Sequence, residues 1–209
     1  MCPVAGHRSD CDGARCLVLR QVVPSAGRGE HSGNDYDRRV SSGATPAIEL
    51  VRRAGVTHTI HEYELPERHG REREERPAYG LEAAGVLGIP PDRMFKTLVA
   101  SVDDRLVMAV VPVDRELDLK RLGAVMDGRR AVMADPAAAE RATGMVVGGI
   151  SPLGSRRPIP LVVDASALAH ETVFVSAGRR GLQLELAPAD LVRLGKAQTA
   201  PLARDQGPG

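Results

Sequence analysis

The sequence predicts an α+β fold built on a mixed, mostly antiparallel sheet, and two observations lead there. Short apolar runs rich in β-branched residues outnumber the amphipathic helical stretches, and several neighbouring runs are separated by only a few turn residues, as hairpins are. No internal repeat and no second apolar centre interrupts the chain. One domain is therefore expected over residues 44–204, preceded by an extension of residues 1–43 and followed by a tail of residues 205–209.

Residues 1–43 mix Gly, Ser, Arg and Asp without helical or strand periodicity and read as a disordered extension. Order begins at Thr45-Pro46, a hydroxyl N-cap with Pro at the first helical position, which opens a helix closed by Gly55. Residues 57–63 alternate β-branched and polar side chains, as a strand does. Residues 67–76 hold four acids and four Arg without an apolar face, and read as a mobile surface insertion. A short helix is expected over residues 81–87. Residues 95–102 and 106–113 read as a hairpin turning at Asp103-Asp104-Arg105. Asp118 and Asp135-Pro136 each begin a helix, the second ending at Gly144, with a strand over residues 131–133 between them. Further strands are expected at residues 145–147, 161–163, 173–176 and 182–186, and a last helix at residues 189–194.

Composition excludes several functions. Three Tyr, two Phe and no Trp leave no rows of rings on which to stack single-stranded bases. A net charge of +1 supplies no global field toward a polyanion, so a nucleic-acid contact needs a local patch. No apolar run is long enough to span a membrane and no signal peptide is legible, so the cytoplasm is the expected compartment. Cys2, Cys11 and Cys16 lack the paired spacing of a structural zinc site even with His7 nearby, and no metal is expected.

The domain itself has no cysteine nucleophile, no Gly-x-Ser-x-Gly elbow and no His-Glu-x-x-His helix. His58 and His61, three apart in a strand, fall on opposite faces and cannot pair. Lys96, one of only three lysines in a chain otherwise charged by arginine, enters an apolar strand beside Thr97. It either snorkels from the strand edge or binds a phosphate or ribose hydroxyl. Gly148-Gly149-Ile150-Ser151-Pro152-Leu153-Gly154 is either a plain turn or a loop whose amides converge on an anion or a developing oxyanion. Arg156-Arg157 and Arg179-Arg180 are either solvated surface or the local basic patch that a nucleic-acid contact would need.

Phe95-Lys96-Thr97-Leu98, Met133-Ala134-Asp135, the stretch 143–154 and the stretch 175–182, in this order and spacing, resemble the YbaK/EbsC family, from residue 45 to about 204. That resemblance implies a curved, barrel-like mixed sheet flanked by helices. It also implies a trans-editing aminoacyl-tRNA deacylase, related to the editing insertion of bacterial prolyl-tRNA synthetases and acting without a cofactor. The substrate it implies is the 3′ end of tRNA(Pro) carrying a wrong amino acid, typically cysteine; a prolyl-tRNA synthetase partner is left open.

By the same resemblance Lys96 is essential, and Tyr63, Thr97 and Ser176 line the pocket. The amides of Gly148 and Gly149 face the ester, with Ile150, Ser151 and Pro152 beside the substrate. The thiol of the substrate cysteine would attack its own ester, which accounts for the missing protein nucleophile. Gln183 stands where some relatives carry an acid, and is not assigned to catalysis. Removal of alanine or another small amino acid, and a non-catalytic tRNA- or synthetase-binding module, stay open as alternatives.

Overall fold

The computed structural model describes residues 44–64 and 79–205. The expected extension 1–43 with its cysteines, the charged stretch 67–76 and residues 206–209 lie outside the described residues.

Helix α1 (Pro46–Arg53) starts where the hydroxyl of Thr45 accepts from Ile48 N at 3.3 Å. The same hydroxyl donates to the Ala177 carbonyl, tying the helix start to the end of a strand. Strand β1 (His58–Glu62) follows, then α2 (Tyr79–Leu87), which begins two residues before the sequence expectation. A short 3-10 turn (Pro91–Arg93) leads into β2 (Phe95–Val102), which pairs with β3 (Arg105–Pro112). Asp103 and Asp104 turn this hairpin with φ of 45° and 64°, the paired left-handed conformations of a two-residue turn. After β4 (Glu116–Leu117), Asp118 caps α3 (Leu119–Val125), and Asp135 caps α4 (Pro136–Thr143) after β5 (Ala131–Met133). The rest comprises β6 (Leu161–Asp164), a 3-10 turn (Ala165–Ala169), β7 (Val173–Ser176), β8 (Leu182–Leu186), α5 (Pro188–Gly195), β9 (Gln198–Ala200) and β10 (Ala203–Arg204).

The expected strand at residues 145–147 is not formed. Gly144 ends α4 in the left-handed region at φ 76°, and the chain then closes a tight turn in which Gly149 N donates to Val146 O at 2.9 Å. No neighbouring strand lies alongside it among the described residues.

The strands form a three-stranded antiparallel sheet, β1-β8-β7, a five-stranded mixed sheet, β5-β2-β3-β6-β9, and a β10-β4 pair. Two pairings, β3 with β6 and β6 with β9, are parallel. The two larger sheets meet at one parallel bridge between Met94 and Phe174 and do not close into the expected barrel. The main core lies between them, where Val173, Val175, Leu182 and Leu184 meet Phe95, Val99, Met108 and Val110 beneath α1. The outer face of the small sheet is covered by α2, where Tyr63, Met94, Val113 and Phe174 pack on Ala83, Ala84 and Leu87. This outer face carries the candidate site.

Candidate active site

Strand alternation decides which polar side chains meet. Gln183 of β8 lies opposite His61 of β1 and opposite Ser176 of β7, so all three share one face of the small sheet. The Met94–Phe174 bridge carries that face into the large sheet, and Lys96 and Ser176 each lie two residues beyond the bridged pair on the same face. Tyr63, directly after β1, closes the row: its backbone N donates to Gly181 O at 3.0 Å, and its hydroxyl accepts from Gln183 Nε2 at 3.2 Å. Tyr63, Gln183, Ser176 and Lys96 thus form a polar band across that face, next to His61.

Burial governs the chemistry of that band. Desolvation holds the Lys96 ammonium below its ordinary pKa, although the Glu116 and Asp114 carboxylates work to raise it. Its Nζ donates to Val113 O at 3.3 Å. Burial pushes the Tyr63 phenol up, against the hydrogen bond from Gln183. Gln183 is 7 % exposed, and its Oε1 is buried with no partner among the described residues. Ser176 is half-buried, and its Oγ accepts weakly from Gly178 N at 3.4 Å.

Thr97 is not brought to this band. One residue along the strand from Lys96, it points to the opposite face with Phe95 and Val99, and its Oγ1 is buried without a partner among the described residues.

The glycine turn sits against the β7–β8 hairpin. Gly148, at φ 85°, occupies the turn position that requires the left-handed region, and a Cβ there would lie 3.2 Å from both the Arg180 guanidinium and the Tyr79 ring. Gly149 packs so closely that a Cβ would stand 2.8 Å from the Arg179 and Arg180 backbone. The Gly149 amide is consumed by Val146 O, whereas those of Gly148 and Ile150 have no acceptor among the described residues. Ile150 belongs to the main core, and Ser151 is fully buried with its Oγ accepting from Leu153 N at 3.2 Å. Pro152 lines a different groove, of about 480 Å³, with Leu50, Leu194 and Lys196.

The two arginine pairs have separate surroundings. Arg179 pairs with Glu62 at 2.6 Å on the surface. Arg180 lies over the Tyr79 ring, 4.9 Å from its centroid, and donates to Val147 O from Nε at 2.9 Å and Nη2 at 2.6 Å. Arg156 and Arg157 are exposed; their backbone N–H groups donate to Thr143 O and Ala142 O at the end of α4, a favourable place for positive charge.

Sequence reasoning missed Glu140, whose Oε1 accepts from Val147 N at 2.9 Å. Its one available signal was an acid in the C-terminal half of α4, where the helix dipole disfavours it. It also missed a network beside the band, in which His61 Nε2 meets Glu185 Oε2 at 2.8 Å and Thr172 Oγ1 donates to Glu185 Oε1 at 2.6 Å. Among the described residues no cluster of three or more His, Cys, Asp or Glu is arranged to hold a metal, and no helix is long and apolar enough to cross a membrane.

Comparison with known proteins gives a consistent set of likenesses. The sequence model of the aminoacyl-tRNA editing domain matches residues 75–194. A protein of Enterococcus faecalis named as a Cys-tRNA(Pro)/Cys-tRNA(Cys) deacylase, EbsC, is 34% identical over 161 residues, which cover 75% of this chain and 91% of the relative. A proline–tRNA ligase of Moorella thermoacetica is 35% identical over 103 residues, 49% of this chain but only 18% of the ligase. Among solved structures, a hypothetical protein superposes with a TM-score of 0.66 at 25% identity, covering 77% of this chain and all of the other. A structure described as a trans-editing enzyme for prolyl-tRNA synthetase superposes with a TM-score of 0.63 at 24% identity over 83% of this chain and 99% of that one, a likeness of fold.

Proposed function

The chain belongs to the aminoacyl-tRNA editing domain family, and from that premise we propose that it is a trans-acting deacylase that clears mischarged tRNA, with Cys-tRNA(Pro) as its substrate. The observation that carries the reading is the band Tyr63–Gln183–Ser176–Lys96 on one face of a domain that contains no cysteine. Such a band binds and orients without offering a strong nucleophile, which suits a substrate that brings its own.

In this reading the Lys96 ammonium holds a phosphate or ribose oxygen of the tRNA 3′ end, and Ser176 and Tyr63 border the aminoacyl group. The substrate thiol attacks its own ester carbonyl, forming a C–S bond. The bond to the ribose oxygen breaks, that oxygen takes the thiol proton, and a cysteine thiolactone leaves. The enzyme contributes orientation and donors for the oxyanion, effects that in favourable cases supply many orders of magnitude. Of the loop amides, Gly148 and Ile150 fit that role and Gly149 does not, because its hydrogen is already spent within the turn. The exposed Arg156 and Arg157 are available for the tRNA backbone. The aminoacyl-tRNA encounter takes place in the cytoplasm, and a prolyl-tRNA synthetase is the partner that would supply tRNA identity.

The test is release of amino acid from tRNA(Pro) charged in parallel with cysteine, S-methylcysteine and alanine. Rapid release of cysteine alone supports thiol attack. Equal release of alanine replaces this reading with that of a small-amino-acid deacylase, and saturable binding without release replaces it with a binding module.

A further inference from the structure

Val147 is held from both sides by side chains of opposite charge. Its N–H donates to Glu140 Oε1 at 2.9 Å, and its carbonyl accepts two hydrogen bonds from Arg180, at 2.9 and 2.6 Å. Arg180 is itself braced by lying 4.9 Å from the centroid of the Tyr79 ring. The turn closed by Gly149 N and Val146 O has Val147 and Gly148 at its centre, and Gly148 at φ 85° marks the form in which the central peptide is flipped relative to the commonest turn.

That central peptide is the one Arg180 holds. A peptide unit is rigid, and in the trans form its C=O and N–H point in opposite directions; no cis bond occurs here. Fixing the Val147 oxygen on the guanidinium therefore aims the Gly148 N–H away from Arg180, and no described residue accepts it. In the alternative turn the peptide would rotate and direct the Gly148 hydrogen toward the guanidinium, placing donor against cation.

We propose that Glu140 and Arg180 are positioning residues, Glu140 anchoring the preceding peptide through Val147 N–H and Arg180 selecting the orientation of the Val147–Gly148 peptide, so that the Gly148 N–H is preset as the donor to the scissile ester. This rests on the deacylase reading given above. It gives Arg180 a role beyond the tRNA contact expected from the sequence, because two of its five N–H donors, at Nε and Nη2, are held by Val147 O.

The test uses the full chain with Arg180→Ala, Arg180→Lys, Glu140→Ala and Glu140→Gln, each checked for an unchanged melting temperature. In steady-state release from Cys-tRNA(Pro), Arg180→Ala and Glu140→Ala should each lower kcat by about 10-fold to 100-fold, the scale of a small misplacement at the reacting centre. Glu140→Gln keeps an acceptor oxygen and should stay near wild type, whereas Arg180→Lys, lacking the two-point fork, should not. The double Ala variant should be little worse than either single one, since both hold the same turn, Glu140 through the Val146–Val147 peptide and Arg180 through the Val147–Gly148 peptide.

KM and its dependence on salt should not move for Arg180→Ala, whereas a lost phosphate contact would raise KM and flatten its salt slope. Wild-type kcat in Arg180→Ala, or a raised KM with a flattened slope, overturns the proposal. A shifted Gly148 amide resonance in Arg180→Ala is expected in the same samples, and an unmoved one also overturns it. A wild-type protein that releases nothing removes the deacylase reading instead, and the Gly148 resonance still decides whether Arg180 sets the turn.

Discussion

Gln183 donates to the Tyr63 hydroxyl across 3.2 Å while its own oxygen stays buried without a partner among the described residues. The phenol fixes which way the carboxamide faces, and so presents Oε1 as an acceptor on the same face as Lys96. Removing only the Tyr63 hydroxyl would leave both ends of a buried amide unpaired, costing about 1–3 kcal/mol. Tyr63→Phe is therefore expected to lower the free energy of urea unfolding by that amount. Adding Gln183→Leu should recover much of it, because the buried polar group is then gone. A fully additive double variant would show that the two side chains do not act as a pair.

Lys96 gives the site a signature in pH. Burial lowers its folded-state pKa below the ordinary 10.5, so between that lowered value and 10.5 the unfolded chain binds more protons than the folded one. Stability from this group therefore rises with pH across that window, and its cost is fully present below it. The free energy of unfolding of wild type relative to Lys96→Met should climb with alkaline pH. Release of cysteine above the buffer rate should fall over the same window, as the ammonium is lost. A difference that is flat with pH would mean the ammonium is not desolvated.

Asp164 ties the end of the chain to the large sheet. Burial acts to raise its pKa, but hydrogen bonds from Ser166 and from the Ala203 and Leu202 amides prevail and hold the carboxyl below its ordinary range. The contacts measure 2.6 Å to Ser166 Oγ, 3.0 Å to Ser166 N, 2.6 Å to Leu202 N and 2.7 Å to Ala203 N. Its stabilisation is present above the ordinary carboxylate pKa and is lost as pH falls through the depressed folded value. Asp164→Ala should cost about 3 kcal/mol at neutral pH, from amides left without an acceptor. Chemical unfolding at neutral and acid pH checks both the size and the convergence of the two proteins in acid.

Gly149 and Gly85 make a contrasting pair. An alanine Cβ at 149 would meet backbone atoms at 2.8 Å, which cannot yield as a flexible side chain does, whereas one at 85, within α2, meets nothing within 4 Å. Gly149→Ala should cost about 1–3 kcal/mol and displace the turn. Gly85→Ala should gain about 0.5–1 kcal/mol from helix propensity. Thermal unfolding of the two variants distinguishes them.

Much of this was legible in the sequence because local signals were strong. Thr45-Pro46, Asp118 and Asp135-Pro136 are caps whose chemistry needs no tertiary context, and Asp103-Asp104 turns its hairpin locally. Residues 145–147 misled because three apolar residues in a row look like a buried strand, while the left-handed Gly144 and the turn at Gly148 leave no length for one. The resemblance puts Thr97 in the pocket with Lys96, although strand alternation separates these neighbours onto opposite faces. The engagement of Arg180 with Val147 spans 33 residues, and no local pattern reveals it. Glu140 and Gln183 likewise acquire meaning only once the turn and the sheet face are in place.

Ester cleavage at the face carrying Lys96 is tested by single-turnover release of cysteine from Cys-tRNA(Pro). With wild-type protein the release should run far above the buffer rate, and with folded Lys96→Ala it should return to that rate. Release by wild type no faster than buffer, or undiminished release by Lys96→Ala, would contradict cleavage at that face.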